Sequence, residues 1–198
     1  GLPPVMTAGA GMDAFTHCVE AVLSPMIDPP AEAVGLDGIE RIYRRKNLLE
    51  AVKDGSNKEA RWNMMMAATE GAMAFTKGLG AVHSMSHACG ANQDLRLHHG
   101  TLNGVILPTI IRFNKTHVGD KYERISRSMG IPESSDLAEV IENLNSEIGL
   151  PQNLGEMGIV EDMIPDLAQH SVVDVCSFTN PVIPNLEDYE KLFVEAIG

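Results

Sequence analysis

The chain has 198 residues, enough for one substantial domain or at most two small ones. Apolar residues make up 44% and charged residues 21%, an ordinary balance for a well-cored protein, and no apolar run reaches the ~18 residues that suggest a membrane span. A net charge of −12 argues against nucleic acid or an anionic membrane as a partner, and the opening GLPPVMTAGAG lacks the basic and apolar regions of a signal peptide.

The predicted elements are helix after helix. Thr7 is placed to cap a first helix that runs to Leu23 and is ended by Pro25. Asp28 followed by Pro29 is an N-cap with proline in the first turn, opening a second helix that reaches Arg45. LLEAVKDG reads as a short turn ending at Gly55. Asn57 then caps KEARWNMMMAATEGAMAF, whose apolar residues surround the helix enough to predict a central, buried position, with Met64, Met65 and Met66 filling core.

Segments 80–91 and 99–117 follow as histidine-bearing helices, the second kinked or broken at Pro108. Asp120 opens YERISRSM, which stops at Gly130. Asp136 with Glu139 resembles a capping box for a helix to Ile148, ended by Gly149. LPQNLGEMGI reads as a loop, EDMIPDLAQHSVV as a helix and SFTNPVIPN as an extended stretch. Asn185 caps a last helix to Ile197. No period-2 strand, internal repeat or low-complexity tract stands out, so the fold class is all-α, a single bundle-like helical domain over residues 1–198. Neither GxGxxG nor GxxxxGK[ST] occurs, so these residues hold no nucleotide-phosphate loop.

Cys18, Cys89 and Cys176 lie far apart with no CxxC spacing, which reads as reduced, buried thiols in a cytoplasmic compartment. The histidines are more informative. In GMDAFTHCVE, Asp13 and His17 are four apart on a helix, one above the other on a single face, and can share one divalent cation. In HSMSH, His83 and His87 repeat that spacing without the glutamate of HExxH. His98 and His99 are adjacent, so only one of them can readily reach a site shared with His83, and Gly100 beside them permits close approach of backbone or ligand. Nitrogen and oxygen donors without thiolate suit Fe(II), Zn(II), Mn(II) or Ni(II). Geometry alone admits up to five ligands, one too many for a site that leaves room for substrate. His117 and His170 stand apart and are read as structural.

Four segments, LPPVMTAGAGMDAFTHCVEAVLS, KGLGAVHSMSHACGA, LHHGTLNGVILPTIIRFN and TNPVIPNLEDY, resemble in order and over essentially the whole chain the iron-containing (group III) alcohol dehydrogenases. The stretch GANQDLRL is two residues longer than the commoner family spacing and marks a subgroup. The resemblance implies metal ligands at Asp13, His17, His83 and His99, the last assigned over His98 by the glycine that follows it. It implies that His87 is no ligand but faces nicotinamide and substrate, as the catalytic or orienting residue. His98 carries no family role.

The resemblance further implies the C-terminal, helical half of a two-domain architecture shared with dehydroquinate synthases, with the N-terminal dinucleotide-binding half absent from these residues. The expected activity is NAD(P)-dependent oxidation of a small alcohol to its aldehyde or ketone, with Fe(II) foremost among the metals and NAD(P) held by the other half. Maleylacetate reductases and glycerol dehydrogenases share the architecture and remain alternative reactions. A helical binding module with structural histidines is the alternative of another class. A face left uncovered by the other half favours self-association into a homo-oligomer.

Overall fold

The computed structural model describes residues 1–198, and it contains helices, turns and no strand. Ten α-helices follow in order: α1 Pro4–Leu23, α2 Pro29–Ile39, α3 Asn47–Lys53, α4 Lys58–Ala74, α5 Ala81–Gly90, α6 His99–Asn114, α7 Lys121–Met129, α8 Leu137–Glu147, α9 Ile164–Val173 and α10 Leu186–Ile197. The all-helical, bundle-like expectation therefore holds. Two helices are central. α1 packs on α2, α3 and α4 on one side and on α6 on the other; α6 in turn meets α5, α8 and α10. Met12, Phe15 and Val19 of α1 and Leu102, Ile106 and Ile110 of α6 belong to one continuous core, each worth ~1.5–3 kcal/mol of burial.

Four of the expected caps form, although Asp136 receives no reciprocal bond from Glu139 and Asp120 makes no side-chain cap. Asp28 accepts from the Ala31 N–H, Asn57 from Ala60, and Asp136 from Ala138 and Glu139. Asn185 and Asp188 form a reciprocal capping box. Other expectations fail for identifiable reasons. α1 starts at Pro4, because proline at N1 needs no partner for its missing N–H; Thr7 lies inside it and donates to the Leu2 carbonyl. LLEAVKDG is mostly the helix α3, entered through Lys46 in the left-handed region (φ 56°). The second helix reaches Arg44 only by widening into a π-turn over Glu40–Arg44. SFTNPVIPN starts in a 3₁₀ turn, Val175–Thr179, before extending.

The largest correction concerns α4, which is peripheral. Its inner face is built of small residues, Ala60, Ala67, Gly71 and Ala74, which let it lie close against α1 and α2, so the bulky side chains point away. Trp62, Met65 and Met73 are each more than half exposed, and only Met64 of the methionine run touches the core.

α6 runs unbroken through Pro108. Proline removes the N–H that would bond the Gly104 carbonyl, but Asn145 Nδ2 of α8 donates to that carbonyl at 2.7 Å. A neighbouring helix thus repairs the break that the sequence suggests.

The α1–α6 crossing brings the two backbones into contact. A Cβ on Gly100 would lie 2.3 Å from the Gly9 carbonyl oxygen and 2.9 Å from Asp13 Cβ, and one on Gly9 would lie 2.6 Å from His98 Nδ1. The glycine beside the adjacent histidines admits backbone, and so sets His99 beside Asp13.

Candidate metal centre

Asp13 and His17 come from the middle of α1, His83 and His87 from α5, and His99 from the first residue of α6. One donor atom each from Asp13, His83 and His99 lies within 4.8 Å of the others. His99 Nε2 is 3.3 Å and His83 Nε2 4.0 Å from Asp13 Oδ1. His17 does not join this tight group. Its ring stacks on His83 at 4.7 Å between centroids and tilts against Phe75 at 5.5 Å. His98, by contrast, is the N-cap of α6, with Nδ1 accepting from the Thr101 N–H at 3.2 Å.

The hydrogen bonds fix how the rings face. Glu20 Oε2 lies 2.5 Å from His83 Nδ1, so that nitrogen carries the proton and Nε2 turns its lone pair inward. The Ser86 hydroxyl donates to the His83 carbonyl, leaving its oxygen to accept weakly, at 3.4 Å, from His99 Nδ1. His99 Nε2 therefore also points inward as an acceptor.

At the meeting point stands the Asn103 carboxamide. Its Nδ2 lies 2.7 Å from Asp13 Oδ1, 3.1 Å from His99 Nε2 and 3.2 Å from His83 Nε2. An amide has two hydrogens and here faces three acceptors, while its own Oδ1 is buried with no partner. Acceptors in excess around one point, and a buried oxygen without a donor, are relieved together by a cation. The residues therefore fit a divalent metal held by oxygen and nitrogen donors. Burial pushes the pKa of His17 and of His99 below the ordinary imidazole value, against the opposing pull of Asp13, so both rings favour the neutral, ligating form.

His87 lies on the rim, with its side chain 43% exposed. It stacks on His99 at 5.4 Å and meets His83 edge-on at 5.8 Å. Its Nδ1 donates to Asp174 Oδ2 at 2.9 Å. Asp174 Oδ1 accepts from the Cys176 N–H at 2.8 Å and, more weakly, from the Ser84 hydroxyl. Burial alone would raise the Asp174 pKa, but the Cys176 N–H and His87 outweigh it and hold the carboxyl below its ordinary value. Burial, helped by Asp174, pushes the half-buried Cys176 thiol up to about 12, and burial does the same for Cys18 and Cys89, which alone of the three are buried as expected. His117 and His170 are on the surface.

Three residues of the centre escaped the sequence reading. Glu20 is three residues beyond His17, on the same face, and Asn103 is four beyond His99; helical spacing would have found both. Asp174 is separated from His87 by 87 positions, and no local signal joins them.

Comparison with known proteins agrees with this fold. Residues 7–197 match the model of the Fe-containing alcohol dehydrogenase family, C-terminal. The chain is 43% identical to 4-hydroxybutyrate dehydrogenase of Cupriavidus necator, over all of this chain and 53% of that protein. It is 37% identical to 1,3-propanediol dehydrogenase of Klebsiella pneumoniae, over 99% of this chain and 52% of that protein. The crystal structure of a 1,3-propanediol oxidoreductase superposes on it with a TM-score of 0.92 at 36% identity, covering 99% of this chain and 53% of the other. An iron-containing alcohol dehydrogenase from Thermococcus thioreducens gives 0.89 at 31% identity, over all of this chain and 52% of the other. The chain thus spans about half the length of the relatives it matches. Sequence and fold agree, and the chain belongs to the Fe-containing alcohol dehydrogenase family, of which it represents the C-terminal helical part.

Proposed function

We propose that this chain is the metal-binding part of an NAD(P)-dependent alcohol dehydrogenase that interconverts a small alcohol and its aldehyde or ketone. Asp13, His17, His83 and His99 would hold the divalent cation, Fe(II) foremost, with Zn(II), Mn(II) and Ni(II) suited to the same donors. When bound, the cation supplies Lewis acidity toward the substrate oxygen. NAD(P) would be held by an N-terminal dinucleotide-binding half, so these residues alone are expected to be inactive. The substrate class is drawn from the relatives, whose names specify 4-hydroxybutyrate and 1,3-propanediol.

The chain's own residues divide the remaining work. With Nδ1–H engaged by Asp174, His87 keeps its Nε2 free at an exposed edge, where it can accept the alcohol proton and pass it to solvent. Asp174, below its ordinary pKa, holds that tautomer and orientation. Phe75 lies against His17 on one side of the centre. The observation that carries the reading is the excess of acceptors around Asn103.

The test is elemental analysis of protein purified without chelator, beside His83→Ala. Near-stoichiometric metal in the wild type and its loss in the variant are expected; unchanged metal in His83→Ala would sink the ligand assignment. Joined to a dinucleotide-binding half, His87→Ala should lose at least tenfold in kcat with metal content retained. Dehydrogenase turnover by residues 1–198 alone would contradict the division of labour.

A further inference from the structure

Glu20 and the start of α5 form a unit that the proposed chemistry does not use directly. α5 begins at Ala81 after Gly80, which has no side chain to cap the helix. Its first N–H groups are satisfied from elsewhere: Asn180 Oδ1 accepts from Ala81 at 3.1 Å, and Glu20 Oε1 accepts from Val82 at 2.8 Å. The other oxygen of the same carboxylate, Oε2, accepts from His83 Nδ1–H at 2.5 Å. Glu20 and His83 are both buried, 3% and 1% exposed. Gly80 leaves room for this carboxylate, since a Cβ there would lie 2.9 Å from Glu20 Oε1 and 2.6 Å from Asn180 Oδ1.

Two donors, one from backbone and one from imidazole, therefore converge on one side-chain head. Only a carboxylate offers two acceptors there; a carboxamide of the same shape offers one acceptor and one donor. We propose that Glu20 is the positioning residue that makes His83 a metal ligand. It seats the N-terminus of α5 and, through the same head group, fixes the His83 tautomer whose Nε2 lone pair faces Asp13 and His99. This rests on the reading of His83 as a ligand.

Glu20→Gln isolates the second role. Its oxygen can keep the Val82 N–H, but its NH₂ then faces His83 Nδ1, and the conflict is relieved when the imidazole proton moves to Nε2. The cap survives and the ligating lone pair is lost.

The experiment is Zn(II) binding by competition with a chromophoric chelator, on the whole metal-free chain, for wild type, Glu20→Gln and His99→Ala. Glu20→Gln should keep its helix content and cooperative unfolding yet bind Zn(II) about 10- to 100-fold more weakly. Wild-type affinity in Glu20→Gln, with binding lost in His99→Ala, overturns this proposal and leaves the metal-centre reading standing. No Zn(II) binding by the wild type overturns both. If Glu20→Gln does not fold, long-range ¹⁵N–¹H correlation on the wild type decides: a His83 protonated on Nδ1 supports the assignment, and one protonated on Nε2 refutes it.

Discussion

Helix α1 carries two polar clusters with opposite balance. At its C-terminal end the acceptors face cations. The buried Lys77 ammonium donates to the carbonyls of Ala21, Val22 and Ser24 and to Glu32 Oε2, at 2.9–3.2 Å. Lys121 donates to Leu23 and Ser24, and Arg124 pairs with the other Glu32 oxygen. Two cations thus close the negative end of the helix and satisfy its orphan carbonyls. At its middle, Asp13 joins inward-facing imidazoles from α5 and α6, and one amide serves three acceptors. The first cluster carries its own positive charge; the second lacks it. Burial of polar groups is common to both, so burial alone does not reveal a site, whereas buried acceptors gathered without a cation do.

The largest effect should come from breaking the balanced cluster. Lys77→Met leaves α1 carbonyls unpaired and Glu32 without its buried partner, a loss of about 3–5 kcal/mol. A melting temperature lower by roughly 10 °C is expected for a chain of this size, with Zn(II) affinity of the folded fraction unchanged. Reduced affinity would mean that the two clusters are coupled. Gly100→Ala acts on the other region, forcing α1 and α6 apart at the Gly9 carbonyl. It should cost about 1–3 kcal/mol, and because His99 moves away from Asp13, calorimetry should also show weaker Zn(II) binding.

Asn103→Asp sharpens the comparison further. It places a fourth acceptor where the amide donated, so the metal-free chain should lose about 1–3 kcal/mol. Zn(II) should restore that loss, giving a larger thermal shift than in wild type; an equal shift would argue against an acceptor-rich centre.

The smallest effect concerns acid. Burial tends to raise the Glu32 pKa, but Lys77 and Arg124 prevail and hold it below the ordinary carboxyl value. A depressed folded pKa means stability that is present above the unfolded value and lost as pH falls through the lower folded one. Glu32→Gln should therefore flatten the stability profile in that acidic window, as read by denaturant titration at successive pH values.

What could be read beforehand follows the range of each interaction. Caps such as Asp28, Asn57 and Asn185 act within three residues and were legible. Asp13, His83 and His99, which the fold brings together, were candidates beforehand: spacing singled out Asp13 and His83, and the family resemblance chose His99 over His98. The exposure of Met65 was not legible, since it depends on α4 turning its small residues to α1 and α2. Nor was the repair at Pro108, which depends on Asn145 of α8. Glu20 and His83 are 63 positions apart, and their pairing exists only once α1 and α5 are packed.

The most direct test of the central claim is the thermal stability of the metal-free chain titrated anaerobically with Fe(II). A cation bound only by the folded state adds ~2.7 kcal/mol at a hundredfold excess over Kd, or roughly 5–10 °C in melting temperature for this chain length. The account predicts that rise in wild type and in Lys77→Met, and its absence in His99→Ala. A wild-type melting temperature indifferent to Fe(II), Zn(II), Mn(II) and Ni(II) alike would contradict it.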